Sequence, residues 1–383
     1  MTGGTLRLHD RLDEIPAQAW DSLHDGSNPF IAHAFLAGLE RHGCLRPAWG
    51  WTPRHASLWR GNELVAAAPA YLKSNSHGEF VFDQAWAAAH HRMGLEYYPK
   101  WLVAVPYSPV TGPRLLARDP DDRTALAQAM RERSDRDGLS SLHVNFHPEN
   151  ETPAFGEGWL RRDDVQYHWR NRGWPDFDAF LADLQPRKRK NIRQERARVA
   201  RDGFRLRCVH GDEASEAELE AMYYFYCRTF ADYGNHPALS LAFFQHLARA
   251  MPRQLVLVLG QRHGEIAAGA LCLRGGDTLY GRYWGAIEAS PGLHFEACYY
   301  QGIHYCLREG LQVFEPGAQG EHKVARGFLP VLTRSHHHVA EAAFGAALAD
   351  WCGQERAAVA AHRDLVLRHH PYRELPADPP PAP

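Results

Sequence analysis

No uninterrupted apolar run in this chain approaches the roughly 20 residues a membrane-spanning helix needs. The opening MTGGTLRLHDRLDEIP also lacks the apolar core of a secretion signal. Cysteine is sparse and scattered: Cys44, Cys208, Cys227, Cys272, Cys298, Cys306 and Cys352 are odd in number and form no C-x-x-C pair. That argues against a zinc knuckle or a disulfide framework and fits reduced, structural thiols in the cytoplasm. Neither sign of charge dominates. The net charge is -2, so no global field steers the protein to nucleic acid or membrane. G-x-S-x-G, H-E-x-x-H, P-loop and dinucleotide-binding fingerprints are all absent.

What is present is ordinary globular material, 383 residues with 45% hydrophobic and 23% charged. At about 150 residues per domain the length predicts two or three domains. The 24 histidines make the charge responsive between about pH 5 and 8. Punctuation by Gly and Pro allows a coarse reading. Residues 5–12 alternate like a strand, and 29–42 form a helix that opens at Pro29 and stops at Gly43. Residues 54–60 and 63–72 read as a hairpin around Gly61-Asn62. A helix over 121–137 and a strand over 139–146 follow.

A second cycle begins with one long helix over 176–202 and a strand over 204–209. Helices at 215–232 and 239–250 precede strands at 254–260, 265–274 and 278–286, the last two joined by a turn at Gly275-Gly276-Asp277. A helix over 293–309, strands at 311–315 and 335–340, and a helix over 341–369 complete the chain. Mixed hairpins and crossover helices in each cycle predict an α/β (α+β mixed) fold with a mostly antiparallel sheet per domain. The predicted division is 1–173 and 174–372, with a Pro-rich tail at 373–383.

The stretch FEPGAQGEHKVARGFLP (314–330) concentrates polar groups between glycines and reads as the rim of a ligand site. Acyl transfer to nitrogen needs a base for the amine proton and a donor for the oxyanion. Glu321 or His322 supplies the base and Lys323 an anion clamp, while Arg326 offers a fork for phosphate or carboxylate. The plainer reading is a solvated turn with a surface Glu321–Lys323 pair. Gln319 and Glu315 belong to the same stretch.

On the strand LYGRYWGAIE, Arg282 and Trp284 share one face and Tyr283 takes the other. In the 293–309 helix, Phe295, Cys298, Gly302, Tyr305 and Cys306 form a core stripe, so Glu296, Tyr299 and Tyr300 lie off it and can reach a cleft, with His294 near the helix start. The run RKRKNIRQERARVAR (187–201) pairs a basic face with an apolar stripe at Ile192 and Val199. Arg187, Lys188, Lys190 and Arg193 are its candidate phosphate contacts; a solvated helix is the alternative. Earlier in the chain, His77, Glu79 and Asp83 stand near aromatics, and Tyr107, Ser108, Thr111 and Arg114 lie between prolines. His336-His337-His338 on a strand point to opposite faces in turn and do not make a metal set, so no metal is expected.

With SNPFIAHAFLAGLE, QYHWRNRG and LHFEACYYQGIHYCLREG, these stretches resemble the Fem-type branch of GNAT acyltransferases over about residues 20–372, and within it a family labelled peptidoglycan biosynthesis or recognition. The resemblance implies two tandem GNAT-like domains and transfer of an aminoacyl unit from tRNA to an amine of a cell-wall precursor. It also implies a glycine-bounded loop that helps hold the acceptor, here Gly320, Lys323, Gly327 and Phe328. Tyr107 and Arg114 fall in the segment that faces the acceptor in Fem-type proteins, and with Tyr299 they complete the expected substrate contacts.

Two departures stand out. No long charged heptad hairpin is inserted in the second half, which weakens aminoacyl-tRNA as donor. ASPGLHFE stands where an R/Q-x-x-G-x-G phosphate loop would precede helix 293–309, which weakens acetyl-CoA. The expected function is N-acyl or aminoacyl transfer to an amine of a cell-wall-related or other small precursor, from acyl-CoA or aminoacyl-tRNA. The partners are then a small or muropeptide-like acceptor and, for that donor, tRNA. A non-catalytic module binding a peptidoglycan fragment or nucleotide sugar is the alternative, and a nucleic-acid binder built on 187–201 a third.

Overall fold

A computed structural model describes residues 4–288, 290–318 and 320–374. The chain divides into two compact units that interleave in sequence. The first contains residues up to Val165 and Leu332–His362; the second contains Gln166–Val331 and the residues from Arg363 on. Relative to a reading of consecutive halves, 332–362 therefore lies in the first unit.

The chain enters the first unit through β1 (Thr5–His9), α1 (Ala17–Asp21), α2 (His33–Arg41), β2 (Trp51–Pro53), β3 (His55–Arg60), β4 (Glu63–Ala68) and β5 (Ala70–Lys73). It continues through α3 (Gln84–Arg92), β6 (Lys100–Val103), β7 (Leu116–Ala117), α4 (Pro120–Arg136), β8 (Ser141–His147) and β9 (Leu160–Arg170). The second unit adds α5 (Phe177–Asp183), α6 (Pro186–Arg201), β10 (Arg205–His210), α7 (Glu216–Asp232), α8 (Leu241–Ala250), β11 (Leu255–Arg262), β12 (Glu265–Gly275) and β13 (Thr278–Ala286). Then come α9 (Leu293–Phe295), a π turn (Glu296–Tyr300), α10 (Gln301–Glu309), β14 (Val313–Glu315), β15 (Leu329–Val339) and α11 (Ala342–Leu367).

In the first unit β1, β3, β4 and β7 form one sheet, and β15, β8, β6, β5 and β2 lie side by side in another. β6 and β8 run parallel, Trp101 facing Leu142 and Val103 facing Val144. The predicted hairpin forms between β3 and β4, but its second limb ends at Ala68, and β5 beyond Pro69 pairs with β2 and β6 instead. Pro69 has no N–H to give a ladder, so the strand breaks there and its halves serve different sheets. Trp101, Leu126, Met130, Leu142 and Val144 pack in the core. Each such side chain contributes roughly 1.5–3 kcal/mol by leaving water.

In the second unit the order is β10, β11, β12, β13, β14, β9. Only β13 and β14 among these run parallel. The predicted helix over 176–202 is two helices. Gln185 is extended (φ -54, ψ 143) ahead of Pro186, whose ring disfavours helical geometry in the preceding residue. Leu184 meanwhile bridges to Tyr372. Strands β6 and β9 and helix α3 had no expected counterpart; β9 reads LRRDDVQYHWR, whose charges hide its alternation.

Phe314 of β14 packs where α10 presents Gly302, and a Cβ at 302 would overlap the Phe314 ring. Gly302→Ala is expected to destabilise the protein by about 1–3 kcal/mol, as overpacking does, which a urea titration would read out.

Candidate functional site

β14 pairs with β13 only from Thr278/Val313 to Tyr280/Glu315. β13 runs on to Ala286, whereas after Glu315 the chain leaves the sheet and closes a 3-10 turn over Glu321–Arg326. That turn is bracketed by Gly320 (φ 105) and Gly327 (φ 100), a conformation L side chains rarely adopt. The two parallel strands thus part at the point where the candidate residues gather.

The polar stretch expected at a rim is in large part interior: Glu315 is 2% exposed, Lys323 3% and Arg326 9%. Each buried charge has partners there, which is what makes interior placement tolerable. Lys323 Nζ donates to the carbonyls of Gly317 (2.8 Å) and Ala318 (3.1 Å). Burial lowers its pKa to about 8; Glu315 pulls it up and Arg282 pushes it further down. Arg282 Nη2 pairs with Glu315 Oε1 at 2.6 Å. His168, 4.0 Å from the other Glu315 oxygen, is held neutral by burial, its pKa pushed down to about 3.

Arg326, expected to fork a phosphate or carboxylate, is instead engaged within the unit. Nε donates to Tyr300 Oη (3.0 Å), Nη1 to the His322 carbonyl (2.8 Å) and Nη2 to Glu195 Oε1 (2.8 Å). Its guanidinium carbon lies 3.4 Å from the Phe295 ring centroid. Arg326 is therefore a positioning residue that ties the 321–326 turn to α6. Glu195, the one acid inside the basic run of 187–201, also accepts from Tyr300 Oη. Its isolation among cations was the signal in the sequence that could have marked it.

His322 is exposed, and its Nε2 lies 2.9 Å from Tyr299 Oη. Partial desolvation and the neighbouring Lys323 and Arg326 lower its pKa, so the imidazole is neutral at pH 7. Glu321 is exposed beside it, and Gln319 lies outside the described residues. Trp284 sits edge-on to His294, ring centroids 5.0 Å apart.

Glu296, Tyr299 and Tyr300, expected off the core stripe, are all buried. The π turn places an extra residue in that coil and rotates the following side chains by about 100°, so the 3.6-residue stripe slips there. Glu296 is bridged by Arg196 through both Nε (3.1 Å) and Nη2 (3.2 Å).

On α6, Ile192 and Val199 are the buried residues, as the periodicity predicts. Lys190 and Arg193, with Arg189, Arg198 and Arg201, line a groove of about 580 Å³ on the outer face. Arg193 also borders a recess of about 490 Å³ shared with Arg196, Glu296 and His304. Arg187 is exposed and Lys188 half-buried near the helix start.

Tyr107 and Arg114 lie in the first unit. Tyr107 Oη donates to the Cys44 carbonyl at 3.1 Å. Arg114 is fully buried and donates to the carbonyls of Asn145 (2.8 Å), Gly112 (2.9 Å) and Val110, so it organises the 110–114 turn. Glu79 and Asp83 are buried with Lys100, which donates to Glu79 Oε2 at 2.8 Å and to Asp83. The three consecutive histidines part company: His336 meets His147, His337 meets His143 and His338 meets Asp135. No group of three or more His, Cys, Asp or Glu able to hold a metal occurs among the described residues.

The fold is mixed α/β in two compact units. Residues 11–374 match the FemAB-like family, described as peptidoglycan biosynthesis/recognition, and the chain belongs to that family. Among solved structures it is similar to FemX, at 11% identity and a TM-score of 0.53, covering 85% of this chain and 96% of that one. It is also similar to L-PGS from Bacillus licheniformis, at 10% identity and a TM-score of 0.50, covering 92% and 97%. A tandem GNAT protein from the clavulanic acid biosynthesis pathway aligns at 14% identity with a TM-score of 0.45 over 88% and 99%. No curated protein matches by sequence. No helix among the described residues is long and apolar enough to cross a membrane.

Proposed function

We propose that the chain is an N-acyltransferase that moves an acyl or aminoacyl group onto an amine of a cell-wall-related or other small precursor, with the chemistry in the second unit. The observation that carries this reading is Lys323, buried where β13 and β14 part and held by burial at a pKa of about 8. An amine nitrogen attacks the donor carbonyl, and the C–S or C–O bond to the carrier breaks. His322, neutral at pH 7, takes the amine proton and hands it to the departing sulfur or oxygen, so that the carrier leaves as a thiol or alcohol, with Glu321 as the alternative base. The Lys323 ammonium, which has three donors, uses two on Gly317 and Ala318 among the described residues; the third faces the oxyanion. The basic groove of α6 suits the phosphates of a CoA thioester, an aminoacyl-tRNA or a nucleotide-linked acceptor.

The test is to incubate the purified chain with acyl-CoAs or aminoacyl-tRNA and UDP-linked muropeptides, following products by mass spectrometry and binding by thermal shift. An N-acylated product is expected, with charge reversal of Lys190 and Arg193 weakening the donor. Tight binding of a muropeptide with no product from any donor would sink the catalytic reading. It would favour a recognition module, which the family's description also accommodates.

A further inference from the structure

We propose that the first unit holds a separate binding recess for an uncharged, polyhydroxylated ligand of about monosaccharide size. The recess measures about 220 Å³ and is walled by the start of β9, the middle of β15, Phe146 of β8, α11 and the 81–82 segment. The charged groups of its lining are paired in place, except the exposed Asp164, whose Oδ1 accepts from the Val165 N–H at 2.7 Å. Arg162 grips Glu355 through Nε (2.8 Å) and Nη2 (2.6 Å), and Asp163 takes both Nε and Nη2 of Arg161 at 2.7 Å. Arg334 pairs with Glu149 at 3.1 Å. An anionic ligand would have to break such a pair to reach Arg162 or Arg334. Hydroxyl groups need only the lone pairs and N–H edges that bidentate pairs still present.

An aromatic ring flanks this polar floor: Phe82 stands at the wall 56% exposed. The Arg162 guanidinium lies 5.0 Å from the rings of both Trp86 and Trp351. A large aromatic left in water beside convergent hydrogen-bonding groups suits the C–H face and hydroxyl edge of a sugar ring.

Two features pre-set the recess. Phe146, part of its lining, holds φ 58 within β8, a strained conformation for a bulky residue. Gly112 N–H donates to the Phe146 carbonyl at 3.0 Å and braces it. Ser335, also in the lining, has its hydroxyl 2.8 Å from His337 Nε2. His337 Nδ1 lies 2.6 Å from His143 Nδ1, and His143 Nε2 lies 2.7 Å from Ser141 Oγ. The Ser335 hydroxyl is thereby held in one orientation before any ligand arrives.

This goes beyond the acyl-transfer reading and is tested apart from it. Saturation-transfer NMR on the full chain would be run with N-acetylglucosamine and methyl glucoside, each competed with inorganic phosphate and glycine. Saturable transfer to the sugar ring protons is expected. Phe82→Ala should weaken it about tenfold, the loss of one stacked ring. Val359→Arg, which fills the recess from α11, should abolish it at unchanged thermal midpoint, whereas Lys323→Met should leave it intact. Absence of transfer would overturn the proposal. So would transfer that survives both recess variants, or sugar displaced by phosphate or glycine at equal concentration.

Discussion

Replacing Lys323 with Met is expected to lower kcat/KM by about 100- to 1000-fold, the loss typical of one oxyanion donor, with little change in stability. The two halves of this expectation share one cause. Lys323 is 3% exposed, and burial holds its folded pKa near 8, below the unfolded value of 10.5. Folding therefore favours the neutral amine. The stability this group contributes grows as pH rises from about 8 to 10.5, and below 8 the buried ammonium is a cost on the order of 3 kcal/mol. Met has a similar shape and no charge, so it relieves that cost while forfeiting the bonds to Gly317 and Ala318, worth about 1–3 kcal/mol together.

The terms nearly cancel, and the thermal midpoint at pH 7 should stay within about 3 °C of the parent. Lys323→Arg should not rescue turnover, because a planar fork does not replace a point charge held between two carbonyls. In the parent, kcat/KM should decline above about pH 8 as the ammonium is lost. An inactive variant that also melts 10 °C lower would reassign Lys323 to structure; a fully active one would remove it from the mechanism.

The first unit is expected to lose stability steeply in mild acid and to unfold between about pH 4 and 5. Four imidazoles are buried there in two pairs, His143 with His337 and His147 with His336, nitrogens 2.6 Å apart in each. Burial pushes His147 down to about 4 and His336 to about 3, and holds His143 and His337 well below 6.5. Because the folded values lie below the unfolded one, the unfolded chain takes up protons first as pH falls. The stability is present above 6.5 and lost on the way to 4.

Glu79 and Glu151 oppose this, since burial raises both to about 7 and their contribution is fullest below the unfolded value of 4.5. Four imidazoles against two carboxyls leave a net uptake of about two protons between pH 6.5 and 4.5, or about 2.7 kcal/mol per pH unit. Two pH units then remove about 5 kcal/mol, comparable with the whole stability of many domains. Near-ultraviolet circular dichroism would follow this through the buried Trp20, Trp51, Trp86 and Trp101. His336→Gln should reduce the slope by about one proton, and a signal flat from pH 7 to 4 would show that the pairs do not control folding.

Much of the local structure was legible. Gly138, Gly203 and Gly310 end helices with positive φ, and Gly275–Asp277 turns a hairpin, because backbone freedom is a property of the residue itself. The apolar stripe of α6 was equally plain, since a helix repeats its face every 3.6 residues.

Other features were decided only in three dimensions. Those same charges are buried, because Arg282, Glu195 and the loop carbonyls reach them from distant positions. Arg326 spends its donors inside the unit, and the π turn moves Tyr299 and Tyr300 into the interior. Residues 332–362 rejoin the first unit, where His336 and His337 find His147 and His143 nearly two hundred positions away. Periodicity and turn chemistry are written within a few residues, so they can be read along the chain. Partners for a buried charge or a neutral imidazole are supplied by whichever strand the sheet register sets opposite, and that register exists only once the unit has closed.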